Sequence, residues 1–232
     1  MVNKSYDVTI LGGTGRLGQR LAENLNKQEL RTLVTTRDAD KYRQLFQNWE
    51  HVQLHQVDQY DSVNLFDICK DTHSVINLIH IQKEGRRSRI DFPPARRGDF
   101  EEVLIELPRR LVHAGQKAGN HIRVLHVSCV GASPLSSSAR LRAQGLGEII
   151  VRESSEDADK LGYLTYLNGP KFVHGSQLQT TVLRLPDLSA VNLTMCASAI
   201  LEILDDSRTI GQILEVDISN SRRVVYPYVR SA

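Results

Sequence analysis

The chain has 232 residues, 41% of them hydrophobic and 24% charged, with a net charge of +2. That length suits one domain burying roughly 70% of its unfolded surface, so neither metal nor disulfide has to hold the core. The small net charge gives no case for a nucleic-acid partner, and no apolar run reaches the roughly 20 residues that span a bilayer.

Only Met1–Tyr6 precede the first strand-like run, so no transit peptide is visible ahead of it. DVTILGGTGRLGQRLAENL, residues 7–25, then reads as strand, turn and helix. Val8, Ile10 and Leu11 form the apolar strand, and Leu17, Leu21 and Leu25 recur at helical spacing. Between them Gly12, Gly15 and Gly18 make G-x-x-G-x-x-G, with Thr14, Arg16 and Leu17 in the same cradle. Gly12 permits the tight turn, Gly15 lets helix N-terminal N–H groups approach a pyrophosphate, and Gly18 lets helix and strand pack closely. By itself a glycine turn is a weak signal; the flanking strand and helix strengthen it.

The second strand, LRTLVTTR, ends at Arg37. A NAD-selective site places Asp or Glu there for the ribose 2′-hydroxyl, whereas arginine pairs with a 2′-phosphate. With Arg16 nearby, NADP(H) is the expected ligand; the bland alternative is two solvated arginines on a rim. A helix over about Asp40–Trp49 leads to a third strand, VQLHQVDQYD, ending at Asp58. Asp58 and Gln59 fall where such folds contact adenine. SVINLIH, Ser74–His80, is the fourth strand, with Leu78 and Ile79 beneath the cofactor ribose. Strand and helix alternate throughout, which predicts an α/β fold, a doubly wound parallel sheet in a single domain over residues 1–232.

Next come Arg86, Arg87, Arg89, Arg96 and Arg97, crowding a loop that contains Pro93 and Pro94. The plain reading is a solvated basic loop. The sharper ones are contact with an acidic subunit or with anionic lipid. Asp91 and Asp99 weaken the lipid reading, and Phe92 alone is thin support for nucleic acid. Cys69, Cys129 and Cys196 are too scattered for a disulfide framework, which favours a reducing compartment. The histidines show no metal spacing with them. Ser136, Ser137 and Ser138 are placed to cap a helix.

Two longer stretches carry a resemblance: VINLIH followed by FEEVLIELPRRLVHAGQKAGNHIRVLHVSCVGA, and SSSARLRAQGLGE. Together they resemble the atypical short-chain dehydrogenase/reductases, and among these the NAD(P)H-binding accessory subunits of mitochondrial complex I. In that family the fourth strand ends N-L-I-G, a strand reading I-H-V-S follows later, and then S-S-S-x-Y-L-R-x-K-A-x-G-E. The family serine matches Ser128, the leucine and arginine match Leu141 and Arg142, and Gly147 and Glu148 close the motif. LTYLNGPKFVHG resembles the family strand R-P-x-x-x-F/Y-G, matching at Pro170 and Gly175 with Asn168 in place of the arginine. On that alignment Ser176–Pro186 is a short connector, and the substrate-side lobe, from about residue 163 to 232, is reduced.

The departures bear on mechanism. The superfamily reduces carbonyls with a Tyr proton donor whose pKa is lowered by a Lys four residues on. Here the Tyr position is Arg140 and the Lys position Gln144. Arginine stays protonated near neutral pH and donates no proton, while Gln144 can still hydrogen-bond a ribose. The resemblance therefore implies an NADP(H)-holding accessory subunit without catalytic residues. It would sit peripherally on the matrix side of the mitochondrial inner membrane, with other complex subunits as partners. Its cofactor contacts would be Gly12, Thr14, Gly15, Arg16, Leu17, Gly18, Arg37, Asp58, Gln59, Leu78, Ile79, Ser128, Gln144 and Pro170. Two alternatives stay open: a free-standing reductase with Tyr163 or Tyr166 as donor, and an NADP(H)-sensing regulator of the NmrA type.

Overall fold

The computed structural model describes residues 4–81, 99–119, 121–154, 178–188, 191–217 and 224–227. Its first half alternates as the periodicity requires: β1 (Tyr6–Leu11), α1 (Arg16–Lys27), β2 (Thr32–Thr36), α2 (Ala39–Phe46), β3 (Val52–Gln56), α3 (Ser62–Asp71) and β4 (Thr72–Asn77). The second half continues with α4 (Leu107–Ala118), β5 (Ile122–Cys129), α5 (Ala139–Glu153), β6 (Leu178–Leu185), α6 (Leu193–Asp205), β7 (Ile213–Asp217) and β8 (Val224–Pro227). Among the described residues these strands form one eight-stranded sheet, ordered β3-β2-β1-β4-β5-β6-β7-β8. The first seven run parallel, and only β8 is antiparallel to its neighbour.

A parallel sheet has to be covered on both faces, and alternate strand residues feed two separate cores. On one face Ile10, Ile76 and Leu125 meet Leu17, Leu21 and Leu25 of α1, Phe46 of α2 and Ile200 of α6. On the other Leu11, Val75 and Val124 meet Leu65 of α3, Leu111 of α4 and Val151 of α5. Each such fully buried Leu or Ile contributes about 1.5–3 kcal/mol relative to exposure. The doubly wound parallel sheet read from the sequence is the fold observed.

Several boundaries move. The third strand ends at Gln56 rather than Asp58, and the fourth at Asn77 rather than His80, which leaves Asp58 and Leu78–His80 in loops. The first turns of the helix before β5 are π-helical, Glu102–Glu106. Pro108 explains the wider winding, because its missing N–H cannot bond the Leu104 carbonyl four residues back. Gly147 of α5 packs on that carbonyl; a Cβ there would collide with the Leu104 oxygen. Ser138 caps α5 as expected, its hydroxyl accepting from the Leu141 N–H.

One reading is overturned. Ser176–Pro186 is not a connector: Leu178–Leu185 is β6, paired residue for residue with β5 from Ile122↔Leu178 to Cys129↔Leu185. The strand beside β5 therefore ends in Arg184-Leu185, followed by Pro186, and Asn168 lies outside the described residues. Pro170, Gly175, Tyr163, Tyr166 and the arginines at 86–97 lie outside the described residues.

Arg184 makes the buried ion pair of this region. Its Nε and an Nη donate to the two Glu148 carboxylate oxygens at 2.9 and 2.6 Å, and it also donates to the Ala132 carbonyl at 2.9 Å. The pair joins β6 to α5 and to the loop between β5 and α5. Removing one partner strands a charge in the interior, so Glu148→Ala should lose about 3–5 kcal/mol in urea unfolding. Glu148→Leu combined with Arg184→Met should recover most of that loss; equal destabilisation by both variants would sink this account.

Candidate functional site

The sheet order reverses direction between β1 and β4, and in open parallel sheets ligands bind outside the strand carboxyl ends at that point. A crevice of about 950 Å³ lies there. Its walls come from the turn after β1, the loops after β2, β3 and β4, and the start of α4 with the π-helical turn before it. Gly12 has φ +75, a left-handed conformation that favours glycine, and its backbone lies against Ile79 of the loop after β4. Gly15 is the N-cap of α1, with no side-chain cap and no acidic residue in the first helical turn. A Cβ built on Gly15 would meet only the Gly12 carbonyl oxygen, at 3.6 Å. The first-turn N–H groups therefore face open space with the sign of field that attracts a phosphate. Gly18 has its expected packing role: its Cβ would fall 2.5 Å from the Gly13 Cα.

Of the anticipated contacts, Gly12, Thr14, Gly15, Arg37, Asp58, Gln59, Leu78 and Ile79 line the crevice. Leu17 does not; helical periodicity puts its side chain in the core with Leu21 and Leu25. Arg16 is exposed at the first residue of α1, outside the crevice walls. Ser128 and Gln144 are buried at 5% and 2% exposure and also lie off the crevice walls. Sequence reading missed Lys41, Tyr60, His80 and Arg110, all of which line it. Lys41 lies in the first turn of α2, four residues after Arg37, close enough in the chain to have flagged a second cation at the same rim. The Tyr60 hydroxyl bonds Thr35 Oγ1 at 2.8 Å, and burial raises its pKa.

Beyond the crevice, α5 places Arg140 one turn before Gln144. Arg140 donates to His80 Nε2 at 3.2 Å, and Gln144 Nε2 lies 3.0 Å from His80 Nδ1. The Cys129 thiol donates to Gln144 Oε1 at 2.7 Å. Burial pushes the thiol pKa up, against the opposing pull of Arg140. Burial, and then the Arg140 charge, lowers the pKa of His80. These described side chains offer a guanidinium, a carboxamide, a neutral imidazole and a protonated thiol. None of them reproduces a phenol with its pKa lowered by a neighbouring ammonium.

The family model for the NAD dependent epimerase/dehydratase family matches residues 8–143, more than half of the chain. The chain belongs to this family. Within it, the chain is 29% identical over 154 residues to NADH dehydrogenase (ubiquinone) 1 alpha subcomplex subunit 9, mitochondrial, of Mus musculus. That match covers 65% of this chain and 38% of the mouse protein. The Arabidopsis thaliana protein of the same name is 28% identical over 153 residues, covering 65% of this chain and 36% of that protein. The chain thus spans well under half the length of the curated relatives it matches. Among solved structures, a metagenomic short-chain oxidoreductase in complex with NADP superposes with TM-score 0.62. It shares 12% identity, covers 88% of this chain and 92% of its own, and so shares the fold. Among the described residues no helix is long and apolar enough to cross a membrane.

A family fold built for a dinucleotide fits the residues present: a phosphate-sized gap at Gly15, cations at the rim, and apolar walls from Leu78, Ile79 and Leu107. Behind the crevice, Asn77 and His126 face each other across β4 and β5, with Asn77 Nδ2 3.1 Å from His126 Nδ1. Burial, and then the nearness of His80, lowers the His126 pKa to about 4. Unfolded, the same ring titrates near 6.5. Below that pH the unfolded chain takes up a proton that the folded chain refuses, so stability falls from about pH 6.5 down to about 4, by about 3 kcal/mol in all. His80, also lowered, adds in the same sense. Urea unfolding at pH 7.5 and 5 should show the loss, and His126→Leu should flatten it; an unchanged slope in the variant would refute this assignment.

Proposed function

We propose that the protein is a non-catalytic, NADP(H)-holding accessory subunit of a complex I-type respiratory assembly. It lies peripherally on the matrix side of the mitochondrial inner membrane, against other subunits of the assembly. The observation that carries this reading is the pairing of a nucleotide crevice with a reaction site occupied by the wrong groups. The crevice has cations at Arg37 and Lys41, while Arg140 and Gln144 stand where proton donor and lysine belong in the family that the sequence resembles. The names of the curated relatives support the assembly and the organelle. A ligand held without turnover stabilises the folded subunit by mass action.

Choice of NADP(H) over NAD(H) rests on Arg37 just after β2, with Lys41 in the first turn of α2 on the same crevice wall. Charge-assisted bonds to a 2′-phosphate are worth about 1.5–3 kcal/mol, so Arg37→Ala should weaken NADPH about 10- to 100-fold. NADH affinity should hardly change, and equal loss for both nucleotides would defeat the assignment of the 2′-phosphate. For the assembly role, membranes of the source organism are solubilised mildly and resolved by native electrophoresis. Co-migration of the chain with NADH dehydrogenase activity in a megadalton band, with bound NADPH, is expected. A small soluble species that oxidises NADPH would reverse the reading.

A further inference from the structure

In a sheet ordered β3-β2-β1-β4-β5-β6, a dinucleotide lies across the reversal point, with one half over β1–β3 and the other over β4–β6. The crevice observed is lopsided with respect to that frame. Among the described residues its walls come from the loops after β1, β2, β3 and β4 and from the N-terminal end of α4. None comes from β5, α5 or β6. The cations Arg37 and Lys41 and the uncapped N-terminus at Gly15 lie on the first half, and the apolar pocket of Leu78, Ile79, Val103 and Leu107 closes the crevice from the segment that follows β4. They match, in turn, a ribose phosphate, a pyrophosphate and a flat base.

The wall ends at His80. On its far side the ring meets the α5 cluster: Arg140 Nη1 at 3.2 Å on Nε2 and the Gln144 amide nitrogen at 3.0 Å from Nδ1. The other end of the Gln144 amide takes the Cys129 thiol at 2.7 Å and Arg140 at 3.4 Å. Gln144, the residue placed to hold a second ribose, is thus 2% exposed, with its Oε1 engaged and its amide nitrogen packed against the His80 ring. A ribose reaching it has to swing His80 aside and undo these contacts.

We infer that the crevice recognises its nucleotide by the phosphorylated adenosine end alone, and that the cluster of His80, Gln144, Arg140 and Cys129 shuts the opposite end against the nicotinamide. This rests on the reading of the crevice as an NADP(H) site, and it adds that the nicotinamide and its redox state contribute nothing to affinity. The ligand class is a 2′-phosphorylated adenosine diphosphate, with or without nicotinamide.

The discriminating probe is 2′-phospho-ADP-ribose, which differs from NADPH by the nicotinamide only. Calorimetric titration of the purified full chain should give dissociation constants for 2′-phospho-ADP-ribose, NADP+ and NADPH that agree within about threefold. In His80→Gly, the affinity of NADPH relative to adenosine 2′,5′-bisphosphate, which carries neither the second ribose nor the nicotinamide, should rise about tenfold or more. Bound NADPH should keep the emission maximum and intensity of free NADPH with the unaltered protein, a readout that does not need the variant to fold. If the unaltered protein binds NADPH about tenfold or more tighter than 2′-phospho-ADP-ribose, or blue-shifts its emission, the inference is overturned while the NADP(H) site stands. If none of the three ligands binds, the NADP(H) site itself falls, and the inference with it.

Discussion

A sheet that is parallel through seven strands cannot leave either face in water, and everything else in this protein follows from that constraint. Both faces need helices, so the chain winds out from β1 to β3, returns, and winds out again from β4 to β7. The return is where two neighbouring strands send their following helices to opposite faces. The gap between those helices is the crevice, and the turn after β1 lies at its mouth. The site is thus a by-product of core burial. Its location would persist with other side chains; its chemistry would not.

The first half of this plan was legible because local signals carry it. Leu17, Leu21 and Leu25 announce their inward face by spacing alone, and Gly12 announces a turn because a side chain at φ +75 is strained. The strand β6 was not legible. Its buried residues include Thr180, Thr181 and Arg184, which break the apolar run that marks a fully covered strand. Thr181 is accommodated by the Thr209 carbonyl and Arg184 by Glu148, partners 28 and 36 residues away. No window along the sequence contains both members of either pair. The same holds for His80 and Gln144, which are 64 positions apart. The glycine-turn contacts and Arg37 could be placed on the crevice because they sit at strand ends; for Leu17 and Arg16 the motif names a stretch, whereas the helix turns each side chain its own way.

On the proposed reading, the replaced dyad is more than a deletion. A bare loss of phenol and ammonium would leave a wet hole between α5 and the loop after β4. Arg140 and Gln144 instead bridge that gap to His80, and Cys129 closes the back of the bridge. Each group suits such a low-dielectric corner. The carboxamide supplies a donor and an acceptor without charge, and the guanidinium keeps part of its surface toward solvent.

Electrostatics then separate holding from reacting. Hydride transfer needs a proton source whose pKa lies near ambient pH, beside an acceptor carbon. Here the groups at that position are pushed the other way: His80 toward the neutral base, the Cys129 thiol toward the protonated acid. Arg140 contributes to the first shift and opposes the second without overcoming burial. The other end of the crevice carries both signs: the α1 N-terminus, Arg37 and Lys41 present positive field, and Asp38, Asp58 and Asp61 line the same walls. Among the described residues, the cations of the crevice and the groups held away from proton transfer sit on opposite sides of the β1–β4 reversal, so the fold lets the side chains of one half differ without disturbing the other.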